Sequence, residues 1–197
     1  MHDDIKQNLS KYEAIKQKIF TAFADVTLGD GIGFNETNAI DDYLLPTSEE
    51  YQKEKALDER YDFIKVYDFV SKFDDYPSQI HNYMDAKGLH FYLPVFLLLC
   101  DESYKQIFFE NLVNQEQQKY VELMLLLTVD QKKCIIEIAK YDYDKRINVY
   151  INFKGHTCDS CEKIHHPKNY SFKEAKVLVD GADEYNVVEF LEKNFNL

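Results

Sequence analysis

The densest group of chemically capable side chains in this 197-residue sequence is the run His156-Thr157-Cys158-Asp159-Ser160-Cys161-Glu162-Lys163-Ile164-His165-His166. It gathers two of the chain's four cysteines and three of its six histidines. Thiolate and imidazole are preferred zinc ligands, and a C-x-x-C turn can set both sulfurs on one ion. Cys158, Cys161 and His165 would give three ligands and His156 or His166 the fourth, so zinc as a staple for a loop is chemically reasonable. Structural zinc ordinarily joins two separated segments, however, and no second C-x-x-C or paired-histidine arm is present, which favours an exposed, metal-free loop, so no cofactor is predicted. A redox pair fits less well, because Asp159 and Glu162 beside the thiols would raise their pKa values and suppress the thiolate. No other cofactor motif occurs.

Acid-base chemistry has one set of candidates: His81, Asp85, His90 and Tyr92 lie close enough in sequence for an aspartate to orient a histidine. The same residues have a structural reading. Asp85-Ala86-Lys87-Gly88 has the makings of a tight turn, with Tyr92 anchoring a buried helix by its ring and hydroxyl. The glycine-rich stretch Gly29-Asp30-Gly31-Ile32-Gly33 could suggest a phosphate cradle, but no Lys-Ser/Thr follows and Asp30 would repel a phosphate, so it reads as a helix end and loop. Glu36, Asp41, Asp42, Glu49 and Glu50 lack the alternation around a glycine turn that calcium loops require, and read as a solvated face.

The elements that must carry these groups are mostly helices. Ile5, Leu9, Tyr12, Ile15, Ile19, Phe23 and Val26 recur in steps of three and four, the stripe of an amphipathic helix. Asn35 is suited to cap a short helix reaching Tyr43 and Leu44, and Thr47 with Glu50 suits a capping box for one running to about Tyr61. Ile64 to Phe73 is a further amphipathic stretch, and Pro77 and Ser78 open a short element with Ile80, Tyr83 and Met84. Pro94 to Cys100 is expected as a helix with Pro94 in its first turn, buried all round at the centre of the core. Gln115 to Leu127 is expected to turn Val121, Met124, Leu125 and Leu127 inward. Thr128 and Gln131 form a capping box for a helix from Val129 to Tyr141.

Beyond Lys145 the apolar period becomes two. Ile147, Val149, Ile151 and Phe153 alternate with polar neighbours as in a half-buried strand, and Lys176 to Asp180 is a second strand candidate, although Ser171 and Glu174 would cap it as a helix. Asp183 to Phe195 closes the sequence as an amphipathic helix. Cys100 and Cys134 fall within apolar helical patterns and read as core. The expected fold class is mainly α: an irregular helical bundle with a possible short two-stranded element near the C-terminus. The expected organisation is one domain, with a helical part over residues 1–144 and a packed appendage over 145–197.

Three segments together carry a family likeness: Ala22-Phe23-Ala24-Asp25-Val26, the D-x-x-G-x-x-F-Y-L-P segment from Asp85 to Pro94, and Leu127-Thr128-Val129-Asp130-Gln131. On these the chain resembles an uncharacterised bacterial family, a domain of unknown function, over about residues 5–140. The resemblance implies no established activity.

Charge narrows the function classes. Thirty-five acidic residues against 23 basic ones leave a formal charge of -12. Nucleic-acid binding begins with clustered Lys and Arg, so an acidic chain is a poor partner for a phosphate backbone. The longest apolar run, Phe91 to Cys100, contains Pro94 and is about half the roughly 20 residues needed to span a bilayer. No membrane association is expected. The segment Met1 to Ala14 lacks a basic leader with an apolar core, so a cytoplasmic location is expected. These features lean away from an enzyme and toward an interaction protein with a basic partner, immunity-like in type; a metal-stabilised or enzymatic module using Cys158–His166 or Asp85–Tyr92 is the alternative.

Overall fold

A computed structural model of the chain describes residues 2–72, 82–100, 102–115, 117–151, 156–158, 163–165, 171 and 187–195. Its helices are α1 (His2–Ala22), α2 (Phe34–Asp41), α3 (Glu49–Ala56), α4 (Phe63–Val70), α5 (Ala86–Leu99), α6 (Glu102–Asn114), α7 (Gln118–Leu126), α8 (Val129–Ile151) and α9 (Val187–Phe195). Two short strands, β1 (His156–Cys158) and β2 (Lys163–His165), pair antiparallel between α8 and α9. The protein is mainly helical. Two compact units divide it, Met1–Ile135 and Ile136–Leu197, with the boundary falling inside α8.

Helix α5 is the centre of the first unit. Ala86, Gly88, Leu89 and every residue from Phe91 to Leu98 are buried. Around it pack α1, α4 and α7, while α6 packs on α7. Aromatic contacts knit these helices: Phe96 of α5 meets Phe108 of α6 at a tilt, 4.8 Å between ring centroids, and Phe108 meets Tyr120 of α7 edge-on at 6.0 Å. Phe20 of α1 stands edge-on to Phe63 and Tyr67 of α4.

Pro94 does not open this helix, as its type suggested; it lies inside it. The helix begins at Ala86 because the Asp85 carboxylate caps it, accepting from the Gly88 N–H at 2.8 Å. An interior proline forfeits one backbone hydrogen bond and crowds the previous turn, at about 3 kcal/mol. Burying Phe91, Leu93 and Leu97, each at most 1% exposed, contributes roughly 1.5–3 kcal/mol apiece and outweighs that loss.

Other expectations need correction. The cap of α3 is Ser48, whose Oγ accepts from the Tyr51 N–H at 3.2 Å, not Thr47. Asn35 is not the N-cap of α2; Gly33 is, and it has no side chain to offer. In α7 the buried residues are Tyr120 and Leu123, and Leu125 faces solvent. Helix α6 was not anticipated, although Phe108, Phe109 and Leu112 line its buried side. The expected strand over Ile147–Phe153 is helical through Ile151, as part of α8. Ile135, Ile138 and Ala139 are buried at three-and-four spacing and Ile147 is buried about two turns on, so the helix runs from its capped start past the point where the sequence alternates. The expectations for Pro77–Ile80, Ser171–Glu174 as a cap and Lys176–Asp180 as a strand lie outside the described residues.

In the second unit, Val188, Leu191 and Phe195 form the buried side of α9. Lys140 of α8 forms an ion pair with Glu192 of α9 at 2.5 Å. Both side chains are about half exposed, so the pair orients the helices more than it stabilises them.

Candidate functional site

The segment Asp85–Tyr92 is wrapped by the loop between α1 and α2. Asp85 Oδ1 accepts from the Ile32 N–H at 3.0 Å as well as from Gly88, so one carboxylate oxygen caps α5 and ties down the glycine-rich loop. The loop comes so close that a Cβ at Gly88 would collide with the Ile32 carbonyl. Above this contact, Lys87 Nζ donates to Asp30 Oδ1 at 2.5 Å across an exposed surface. The Tyr92 hydroxyl accepts from the Phe34 N–H at 3.1 Å. Burial and the neighbouring Asp58 carboxylate push the Tyr92 pKa up, so this phenol stays protonated.

Opposite α5, Asp58 does what the N-cap Gly33 cannot. Its carboxylate accepts from the backbone N–H groups of Asn35 (2.7 Å) and Glu36 (3.1 Å) and from the Asn35 side-chain amide (3.1 Å). An anion is favoured at this end of a helix, where unpaired N–H groups converge. A side chain at position 33 would run into that carboxylate, which is why glycine stands there. Burial raises the Asp58 pKa against the opposing pull of these donors.

Glu36 belongs to the same knot. It was expected on a solvated face and is instead 2% exposed. Its Oε1 accepts from the Tyr51 hydroxyl at 2.6 Å and from Lys55 Nζ at 2.7 Å. Its Oε2 faces Arg60 Nη2 at 3.6 Å, and both atoms are buried without a hydrogen bond. Desolvation works to raise the Glu36 pKa, yet the bonds from Lys55 and Tyr51 prevail and hold it below the usual carboxylate value. Burial and the Glu36 charge push Tyr51 up to about 12. Arg60 Nη1 donates to the Gly29 carbonyl at 2.6 Å, and the Arg60 carbonyl accepts from Leu28 N–H at 2.9 Å. The glycine-rich loop is therefore gripped by Arg60 on one side and by Asp85 on the other.

His90 has a separate partner. Its Nε2 lies 3.0 Å from Gln131 Oε1. The same oxygen accepts from the Thr128 N–H at 3.0 Å, the Gln131 N–H donates to Thr128 Oγ1 at 3.2 Å, and Gln131 Nε2 donates to the Ala22 carbonyl at 3.0 Å. The capping box read from the sequence is thus present, and its glutamine also bridges α1, α5 and α8. Since an amide oxygen only accepts, Nε2 of His90 carries the hydrogen in this contact. Burial lowers the His90 pKa and the Gln131 contact only partly offsets it.

The sequence candidates are accordingly separated. Asp85 bonds to Ile32 and Gly88 and His90 to Gln131, so the aspartate does not orient the histidine. His81 lies outside the described residues. So do Cys161 and His166 and the side chains of Cys158 and His165; the β1–β2 backbone register sets His156 opposite His165 and Cys158 opposite Lys163. Among the described residues no group of three or more His, Cys, Asp or Glu side chains is placed to hold a metal ion. Cys100 and Cys134 are buried, as expected. The residues missed from the sequence are Glu36, Tyr51, Lys55, Asp58 and Arg60; the charged run Asp58-Glu59-Arg60 after α3 was the one signal for them.

Among the described residues no helix is long and apolar enough to cross a membrane. No curated protein and no solved structure matches the chain. Residues 11–141, which span the wrapped loop, the Asp85–Tyr92 segment and the Thr128–Gln131 box, match one family, and the chain belongs to it: DUF6714, a family of unknown function.

Proposed function

We propose that the chain is a cytoplasmic protein-interaction module that binds a basic protein, in the manner of an immunity protein masking a basic toxin. The observation that carries this reading is the excess of 35 acidic over 23 basic residues. An acidic surface steers a basic partner and suppresses encounters with nucleic acid and anionic membranes. The engagement of Asp85, His90 and Tyr92 in bonds that hold the fold supports the same reading, because it commits the candidate acid-base groups to structure. Capture of the tagged chain from its native lysate, followed by identification of what co-purifies, tests it. A basic partner released by modest salt is expected; a chain that stays alone at low ionic strength contradicts the proposal.

A second reading is favoured by the His156–His165 register of the hairpin, which sets two residues of the Cys/His run opposite each other at their Cα atoms. In this reading zinc staples the hairpin through Cys158, Cys161, His165 and His156 or His166. Elemental analysis should then find one zinc per chain, lost in a Cys158→Ser, Cys161→Ser variant. Metal-free protein purified without chelator removes this reading.

A further inference from the structure

We draw no further inference here: the strongest candidate, the exposed apolar surface of Leu125, Leu126 and Val129 where α7 passes into α8, has nothing in the structure to show what covers it.

Discussion

Gln131 serves three elements with one amide, and its removal is the sharpest residue-level test of how the first unit is held. Gln131→Ala leaves the Thr128 N–H, the Ala22 carbonyl and the His90 Nε2–H without their partner. Unsatisfied buried groups cost about 1–3 kcal/mol each where water cannot reach them, so a loss of roughly 2–4 kcal/mol in urea unfolding is expected. A change within experimental error would mean the amide is ornamental. Gly88→Ala tests the other junction: with a Cβ directed at the Ile32 carbonyl, backbone must shift, and about 1–3 kcal/mol should be lost. For His90 the sign follows from burial. Its folded pKa lies below the ordinary value of about 6.5, so the neutral ring is favoured by folding. The corresponding stability is complete above that pH and is lost as pH falls through the folded pKa. An NMR titration of the imidazole should show a midpoint below about 6.5; a midpoint above it contradicts the buried environment.

At the scale of elements, α2 depends on a residue it does not contain. Asp58→Ala removes the acceptor for two backbone N–H groups and the Asn35 amide, and Gly33 cannot replace it. A loss of about 2–3 kcal/mol is expected, with faster hydrogen exchange at Asn35 and Glu36. The other end of α2 has the opposite sign: Tyr43→Gly relieves a left-handed tyrosine and should stabilise the fold by about 1 kcal/mol, measured as a rise in the urea midpoint. The difference between these ends shows what sequence could reveal. Signals confined to a few neighbours were readable: the Thr128/Gln131 box, the buried Ile15, Ile19 and Phe23 of the first stripe, though its Leu9 is 61% exposed, and the dryness of Phe91–Leu98. Asn35 was misread as a cap because its real partner is Asp58, which approaches only after folding. Glu36 looked solvated for the same reason, its cations arriving from α3 and Arg60. The alternation over Ile147–Phe153 misled because four apolar residues of matching period cannot be told from a helical stripe without the preceding helix that feeds it.

At the scale of the molecule, the polar groups nearest to a reactive arrangement are occupied in holding α1, α2 and α5 together, and the chain carries a formal charge of -12. The D-x-x-G-x-x-F-Y-L-P segment could be located in the sequence, but its purpose could not, since the loop it grips lies more than fifty residues away at Ile32. Charge of this magnitude acts through solvent and is screened over about 10 Å at 0.1 M salt. The most direct measurement is therefore the affinity for the captured partner across ionic strength. Dissociation constants should weaken by at least about tenfold between roughly 0.05 and 0.3 M NaCl, as for an association steered and held by opposite charge. An affinity that stays level over that range would place the binding on uncharged contacts and contradict the account.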